Sequence, residues 1–550
     1  MRFATALLLV GCSPASPEVI PPREPTTQPA PTAPAPAPTR GVELAAPPAL
    51  GSPPAGEVVP LAKVLSVATT EPTTLTLHLD DGERVMHVAF PEAHATHEVP
   101  VLGSPADSEV TLTLTLQAAD GASLEVDGGT WQTPPYPDPF PTIDVLARDP
   151  ERMEPGYTFA AIKSPSSSID YLVALDDRLR LVWWWDDAGS FGDVRVRPDD
   201  AVIFGIRSDE PTAMTFLGEV TQRFATSPVE PIDVPLPTGT SHHEAYPLAD
   251  GGLWTLCYGS TTVVGYPSDY DDPTRTDGVA WAVADQCIVR LDAQGSIVQQ
   301  VWMSEVLDTH RIGFDSLQFT AAGWDWVHLN GVVPTDDGGV LVSARHQDAV
   351  VKLDADGQLV WILGDHSGWS PEFLRYLLTP IGELSWPYHQ HAPAVGPDGV
   401  VWMFDNHSYG RTPYTPEEDA EPEVSRVVGY RVDPVAMTVE QVASLGHSPV
   451  GPLYSPALGD ADPLPLTGHI LGDYGFIDGE GDDLNEALGR GRKAVHLVEY
   501  DLDAPDDPAL ALRLFSDVES LPEGWKMYRV ERIPSLYPPQ VEVWATPSAR

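Results

Sequence analysis

Three histidines stand at similar positions in a repeated pattern, and an arginine follows one of them. Each repeat consists of a histidine, an apolar run, a turn that contains glycine, and a second apolar run. A neutral imidazole is a nucleophile near neutral pH, and a guanidinium group binds anionic oxygens, so these residue types could act on an anion. The spacings are eight residues from His243 to Gly251, ten from His328 to Gly338 and eight from His391 to Gly399.

Two other roles compete with this interpretation. Any one of these histidines alone is more often a hydrogen-bonded strand residue than a functional group. Three imidazoles could also ligate a transition metal. Arg345 follows the second apolar run of the His328 repeat and argues against a metal, because a guanidinium repels a dication but suits a sulfate-like anion. We therefore predict an anion site with no metal and no cofactor.

The elements that would position these residues are β-strands. From residue 141 onward, apolar runs alternate with Asp-Gly turns, and no amphipathic helix is evident. Four strands per repeat is typical of a propeller blade, whose innermost strand lines a central channel. Further units at 171–185 and after Ser455 and Met527 bring the count to about six blades. The sequence thus predicts an all-β fold, a six-bladed propeller, with its histidines at one mouth of the channel.

The sequence before the propeller predicts three segments. Residues 1–12 combine a short apolar run with Leu9-Val10-Gly11-Cys12, which resembles a lipoprotein signal with Cys12 as the lipid site. Residues 13–56 are rich in Pro, Ala and Thr and predict a disordered tether. Residues 57–140 alternate with period two and predict a small β-sandwich, followed by the propeller over 141–550. We expect an exported lipoprotein of the periplasm or cell surface, unless the apolar run is only a secretion signal.

Charge and cysteine content limit the partners. The chain has 80 Asp and Glu against 31 Lys and Arg, a formal net charge of −49. Such a chain repels polyanions, so we expect no nucleic-acid partner and membrane contact only through a lipid at Cys12. Cys257 and Cys287 could pair in an oxidising compartment, and their separation fits neighbouring strands of one blade.

The segment from Asp325 to Trp369 resembles the bacterial arylsulfate sulfotransferase family. The resemblance runs from about Pro155 to Tyr474 and is strongest at 324–369 and 385–411. It implies a six-bladed propeller that moves a sulfuryl group from an aryl sulfate to a phenolic acceptor without a nucleotide sulfate donor, through a transiently sulfated histidine. The alternative is a propeller that only binds a ligand or a protein partner.

The family motifs imply one role for each candidate residue. His391 in YHQHAPAVGPDG would be the nucleophile, and His328 in DWVHLN and Arg345 in SARHQ would bind the sulfuryl oxygens. His243 in SHHEAY would be the remaining partner. The neighbouring His389 and His242 are the alternative registers for the first and last of these assignments.

Overall fold

A computed structural model describes residues 41–165, 169–186, 191–197, 199–478, 493–516 and 523–548. Val42–Arg550 is one compact unit, and Met1–Gly41 is another, of which only Gly41 is described. The predicted lipid site at Cys12 and the tether up to residue 40 therefore lie outside the described residues. No helix in the described ranges has the length and apolar character needed to cross a membrane.

The N-terminal strands, numbered in chain order like all others, form one six-stranded antiparallel sheet. Alternation of apolar and polar residues builds it, since Val110, Leu112 and Leu114 are buried while their neighbours face outward. A strand from the far end of the chain completes one edge. Its strands are β1 (Leu44–Gly51), β2 (Lys63–Asp80), β3 (Arg84–Val101), β4 (Glu109–Ala118), β5 (Ser123–Gln132) and β37 (Glu542–Pro547).

The predicted sandwich takes the form of this single sheet. One edge of β2 pairs with β3, and the other edge is shared, with β1 along its first half and β4 along its second half. The prediction of a disordered tether to residue 56 is wrong for Leu44–Gly51, because the free edge of β2 offers that segment backbone hydrogen bonds. The boundary at 140 stays a prediction.

Six further sheets of four or more strands follow, and they confirm the all-β class. The first sheet is β36 (Lys526–Ile533), β7 (Tyr157–Lys163), β8 (Asp170–Leu175) and β9 (Leu181–Trp185); the second is β10 (Phe191–Arg197), β11 (Val202–Arg207), β12 (Glu210–Met214), β13 (Val220–Ala225) and β14 (Asp233–Pro235); the third is β15 (His242–Pro247), β16 (Leu253–Val264), β17 (Ala280–Leu291), β18 (Ile297–Trp302), β19 (Phe319–Thr320) and β20 (Gly323–Trp324).

The remaining sheets carry two of the predicted histidines. Strands are connected by short 3₁₀ turns at Met303–Glu305, Arg345–Gln347, Leu374–Tyr376 and Glu417–Asp419. A small hairpin of β30 (His447–Ser448) and β31 (Gly451–Pro452) makes a further connection. The fourth sheet is β21 (Leu329–Pro334), β22 (Val340–Ala344), β23 (Ala349–Leu353) and β24 (Leu359–Gly364); the fifth is β25 (Thr379–Pro380), β26 (His391–Val395), β27 (Val401–Asp405), β28 (Arg426–Asp433) and β29 (Thr438–Leu445); the sixth is β32 (Asp460–Pro463), β33 (Ile470–Asp478), β34 (Lys493–Tyr500), β35 (Leu510–Phe515) and β6 (Thr142–Arg148).

One strand from each of the six sheets contributes to a closed ring. β10, β15, β21, β26, β32 and β36 contact one another in that order, and β36 returns to β10. The chain ends interlock, because early strand β6 joins the sixth sheet and late strand β36 joins the first. These six strands, which we call the inner strands, surround the channel of a propeller-type arrangement.

The late strands correct one expectation. The unit predicted after Met527 is not a separate blade, since β36 completes the first sheet and β37 joins the N-terminal sheet. The sheet of β10 to β14 takes its place in the ring and had no counterpart in the predicted repeats. The Cys257–Cys287 disulfide joins directly opposite residues of β16 and β17, as their spacing indicated.

Candidate active site

The structure brings His243, His328, His391 and Arg345 together at one end of the channel. The three histidines lie where inner strands begin: His243 is the second residue of β15, His328 precedes β21, and His391 starts β26. The ring centroids of His243 and His328 are 5.1 Å apart. The Tyr528 ring lies 6.2 Å from that of His243 and 6.5 Å from that of His391, between the two. Arg345 starts a 3₁₀ turn after β22, and its backbone N–H donates to the His328 carbonyl oxygen at 3.1 Å.

Several of these side chains stand on strained backbone. His243, His328 and His389 have φ of 58°, 43° and 56°, the left-handed region that non-glycine residues seldom adopt. β15 has a register break after His242, and β26 has one after His391, where Ala392 takes the positive φ. Such irregularities turn side chains out of the pleat and cluster at functional sites.

His391 is buried and has a defined tautomer. Its Nδ1 lies 2.6 Å from Asn406 Oδ1 and 3.1 Å from the His389 carbonyl oxygen. Asn406 Nδ2 donates to the carbonyl oxygens of Ser455 and Leu458, which orients its own oxygen toward the imidazole. Because both partners of Nδ1 are acceptors, the proton belongs on Nδ1 and the lone pair on Nε2.

The electrostatic surroundings keep His391 uncharged. Burial, followed by the charge of Arg345, holds the pKa of the His391 imidazole well below its ordinary value. None of the described residues forms a hydrogen bond with its Nε2. His391 therefore presents an unprotonated ring nitrogen in the site across the physiological pH range.

His328 and His346 form a stacked pair anchored on Asp325. The His328 Nδ1 lies 2.6 Å from Asp325 Oδ2, and the His346 Nδ1 donates to the Asp325 carbonyl oxygen at 2.6 Å. The two rings are 4.4 Å apart at an angle of 27°. The side chain of His328 is 26% exposed, whereas that of His346 is 2% exposed, so His328 is the member of the pair that a ligand can reach.

Arg345 reaches the site beside a second carboxylate. Its Nη1 donates to Asp315 Oδ2 at 3.3 Å and its Nη2 to the Pro456 carbonyl oxygen at 3.4 Å, both long hydrogen bonds. His389 Nε2 lies 3.3 Å from the same Asp315 oxygen. Burial alone would raise the pKa of Asp315, but His389 and Arg345 together hold it below its ordinary value. The guanidinium group is thus held only loosely in the site.

His242 and His243 form a pair at the third sheet. Their Nδ1 atoms lie 2.8 Å apart, which requires one ring to donate to the other. The His242 ring stacks on Tyr258 at 3.9 Å, and burial lowers the pKa of His242 to about 3. Burial, then His242 and His328, lower the pKa of His243 well below its ordinary value. Of the pair, His243 is the one next to His328, which favours the register chosen from the sequence.

The opposite end of the channel differs in composition. A cavity of about 690 Å³ there is lined by the ends of inner strands, including Tyr246, Pro334 and Val395. Its charged lining residues are Arg195, Asp336, Asp337, Asp460, Asp462 and Arg529, and we call it the acidic chamber. A buried ion network separates the chamber from the histidines.

That network ties together the inner strands of different sheets. Arg529 Nε donates to Asp193 at 2.5 Å and its Nη2 to Glu244 at 2.9 Å, and Arg195 Nη2 donates to the same Glu244 at 2.8 Å. Glu244 follows His243 in β15, and Arg529 follows Tyr528 in β36. The network therefore fixes the strands that carry two site residues.

Sequence reasoning missed several members of the site. His346 lies in the SARHQ motif and Asp325 in the DWVHLN motif, but no role was assigned to either residue. Asn406 directly follows the second apolar run of the His391 repeat and had no role assigned, and Asp315 stands in a loop with no repeat signal. Tyr528 reaches the site only because β36 closes the ring, which no local pattern shows.

Two groups of ligand-type side chains also lie close enough to hold a cation. In each, one atom per residue lies within 4.8 Å of the others. The groups are Asp315, His346 and His389, and Asp325, His328 and His346. Because His346 belongs to both groups, only one of the two groups can hold an ion at a time.

Comparisons with known proteins find relatives that match part of this chain. The chain is 30% identical over 154 residues to arylsulfate sulfotransferase AssT of Escherichia coli O6:H1, and 28% identical over 152 residues to the protein of the same name from Lelliottia amnigena. Each match covers 24% of this chain and a quarter of the relative's length. A solved protein of unknown function from Bacteroides caccae covers 66% of this chain and 95% of its own, with 11% identity and a TM-score of 0.34, too low to support an argument.

A family model gives the broadest match. The model described as arylsulfotransferase (ASST) matches residues 142–509, more than half of the chain. That range includes the inner strands that carry His243, His328 and His391, and also Arg345. The chain belongs to the arylsulfotransferase family.

Proposed function

We propose that this protein transfers a sulfuryl group from an aryl sulfate ester to a phenolic acceptor, without a nucleotide sulfate donor, through a sulfohistidine at His391. The observation that carries the proposal is the state of His391. Its Nδ1 is committed to Asn406 and its pKa is depressed, so Nε2 is an available nucleophile at neutral pH.

In the first half-reaction, the lone pair of His391 Nε2 attacks the sulfur of the donor. The N–S bond forms as the bond between sulfur and the aryl oxygen breaks, and the phenol oxygen leaves with the bonding electrons. The ring becomes positively charged on sulfation, and Asn406 Oδ1 accepts the hydrogen bond from the Nδ1–H that shares this charge. The carbonyl oxygen of His389 provides a second acceptor.

Arg345, His328 and His243 surround the transferring group. The sulfuryl oxygens carry negative charge throughout the transfer, and fixed donors at those oxygens stabilise it. Arg345 supplies a full positive charge in a chain whose net charge is −49, and its weak hydrogen bonds to Asp315 and Pro456 leave it able to turn to a sulfate. His243 adds a further ring N–H donor when its proton faces the site.

His328 is the group we assign to proton transfer. Its Nδ1 is held by the Asp325 carboxylate, an arrangement that orients an imidazole and supports a positive charge on it. The other nitrogen can give a proton to the departing phenolate. In the second half-reaction it takes the proton of the acceptor phenol, whose oxygen attacks sulfur as the N–S bond breaks and His391 returns to its neutral form.

The test uses 4-nitrophenyl sulfate as donor and phenol as acceptor, with and without a nucleotide sulfate. Release of 4-nitrophenol should depend on the acceptor and not on the nucleotide. Donor alone should add the mass of one sulfuryl group, mapped to the peptide that contains His391. Absence of turnover with any aryl sulfate would instead favour a propeller that binds a ligand or partner without chemistry.

We also propose that the protein is exported and anchored by a lipid on Cys12. The Cys257–Cys287 disulfide supports this, because disulfides persist in oxidising compartments such as the periplasm. Replacing Cys12 with serine should shift the protein from the membrane fraction to the soluble fraction. Retention in the membrane fraction would contradict the lipid anchor.

A further inference from the structure

Asp315, His346 and His389 place three ligand-type atoms around one point at the edge of the histidine cluster. Their atoms lie within 4.8 Å of one another, and His389 Nε2 is 3.3 Å from Asp315 Oδ2. Two ligand atoms about 2.0 Å from a tetrahedral zinc ion lie about 3.3 Å apart, the separation of His389 Nε2 and Asp315 Oδ2, so the remaining ligand has to move inward when an ion binds. The proposed sulfuryl transfer makes no use of this geometry.

Hydrogen bonding directs the ring nitrogens of both histidines toward that point. His389 Nδ1 lies 2.9 Å from Asp348 Oδ1, and His346 Nδ1 donates to the Asp325 carbonyl oxygen. In each ring this leaves Nε2 as the free nitrogen. A carboxylate or carbonyl that accepts from the far nitrogen is the usual outer partner of a metal-bound histidine. Both outer partners are therefore already in place.

A second observation points to a missing partner. The side chain of His389 is 1% exposed, yet its Nε2 has no hydrogen-bond partner among the described residues. A buried polar nitrogen without a partner is costly. An unprotonated Nε2 that faces a carboxylate oxygen needs a cation or a proton between them.

The rival group of Asp325, His328 and His346 is a poorer cage. His328 Nδ1 lies 2.6 Å from Asp325 Oδ2, and at that distance the two atoms already share a hydrogen-bonded proton. His346 Nδ1 is likewise engaged by the Asp325 carbonyl. The nitrogens facing Asp325 are thus hydrogen-bonded, whereas His389 Nε2, 3.3 Å from Asp315 Oδ2, makes no hydrogen bond with the described residues.

We propose that Asp315, His346 and His389 form a binding site for a divalent transition-metal ion of the zinc class, and that the ion competes with Arg345 for Asp315. The guanidinium group shares Asp315 Oδ2 with the site, at 3.3 Å, and would repel a dication. Its two hydrogen bonds are long, so it can move away. Metal binding and the positioning of Arg345 then exclude each other, and the ion acts as a reversible inhibitor of the site.

The experiment titrates Co²⁺ into the tag-free, chelator-treated full chain and follows its visible absorption, which reports coordination independently of any enzymatic activity. His389→Gln and His346→Ala should lose the signal. Arg345→Ala should bind about tenfold or more tightly, because it removes the competing charge. His310→Ala removes an exposed histidine bonded to the Val264 carbonyl oxygen and should bind as the unaltered chain does.

The opposite directions of these effects make the test decisive. Misfolding can abolish binding in a histidine variant, but it cannot strengthen binding in Arg345→Ala. No Co²⁺ signal in the unaltered chain, retained binding in His389→Gln, or weaker binding in Arg345→Ala would each overturn the proposal. Loss of binding in His328→Ala with retention in His389→Gln would assign the ion to the rival group.

Discussion

The two ends of the channel bury opposite kinds of titratable group. At the histidine end, burial lowers the pKa of His242, His243, His346 and His391, and the rings stay neutral. At the acidic chamber, burial raises the pKa of Asp460 and Asp462, and beside the chamber the pKa of Glu531, which lies 3.6 Å from Arg195, is raised to about 7. The same physical cause therefore favours the uncharged form at both ends, as imidazoles with a free lone pair at one end and as protonated carboxyl groups beside arginines at the other.

This difference indicates how an anion would approach. Under the proposed function, the histidine end offers an aryl sulfate the guanidinium group of Arg345, whereas Arg529 in the chamber is already paired with Asp460. Arg529 also pairs with Asp193 and Glu244 in the ion network. We therefore expect an aryl sulfate to bind at the histidine end.

The largest expected effect comes from His391→Ala. It should abolish both donor cleavage and acceptor sulfation, because neither half-reaction proceeds without the covalent carrier. Rate assays with 4-nitrophenyl sulfate and intact-mass analysis measure it. Steady turnover by this variant, or a sulfuryl label on another histidine, would remove His391 from its assigned role.

Arg345→Ala should lower the turnover rate by about a hundred- to a thousand-fold and leave weak activity. Loss of one donor to the sulfuryl oxygens destabilises the transition state but keeps the nucleophile. Steady-state kinetics in chelator-treated buffer measures this effect apart from any bound metal. A change below threefold would show that the histidines alone neutralise the sulfuryl charge.

Asn406→Ala should reduce turnover by about ten- to a hundred-fold, the usual effect of losing a partner that orients an imidazole. The residue positions His391 and does not touch substrate, so the matched readout is the pH profile. The hydrogen bond to Asn406 raises the pKa of His391 against the larger lowering by burial, so we expect the acid side of the variant's pH profile to move to lower pH. A lower rate with an unchanged profile would indicate a general structural defect.

A smaller effect, on thermal stability, should distinguish the two ends of the channel by their pH dependence. The pKa of Glu531 is about 7 in the folded protein because burial raises it, above the ordinary 4.5. Its contribution to stability is present below pH 4.5 and is lost as pH rises through 7. Glu531→Gln should therefore raise the melting temperature above that of the unaltered chain, and this increase should be about 1–2 °C larger at pH 8 than at pH 5.

The neutral histidines act with the opposite sign. Their folded pKa values lie below 6.5, so the stability they contribute is present above pH 6.5 and is lost as pH falls toward the folded values, about 3 for His242. Melting temperatures of the unaltered chain should fall between pH 6.5 and 4, and Glu531→Gln should not alter that acid limb. A loss of the acid limb in this variant would contradict the separation of the two ends.

The smallest effect is expected from Asp462→Asn, which replaces a chamber carboxyl group with an amide of similar size; burial already raises the pKa of this carboxyl group well above its ordinary value. Turnover should change by less than about twofold, as for substitutions outside the reacting region. A change of tenfold or more in kcat/KM would show that the chamber field reaches the sulfuryl site.

The sequence predicted the part of this architecture that repeats. Turn spacing placed His243, His328 and His391 at the start of inner strands, because a glycine turn and period-two alternation are local signals. The register breaks in β15 and β26 were invisible, since a bulge depends on how two strands meet. The second sheet had no counterpart in the predicted repeats, and the completion of the first sheet was invisible because β36 joins β7 across more than 350 residues.

Site residues outside the repeats were harder to find. Asp315 and Asn406 lie in loops whose positions depend on packing, and Tyr528 depends on closure of the ring. Leu44–Gly51 looked too proline-rich to fold, yet a vacant edge on β2 accepts it. In each case the local conformation depends on a strand or loop that lies far away in the sequence.

The strand that closes the ring, β36, makes the histidine cluster depend on residues far along the chain. Tyr528 and Arg529 are part of β36, and the N-terminal sheet is completed only when β37 pairs with β3. A proteolytically shortened chain that lacks residues beyond 525 therefore loses the ring that lies between His243 and His391. Contacts of such long sequence separation carry a high loop-closure cost, so we expect this strand to pair after the local hairpins have formed.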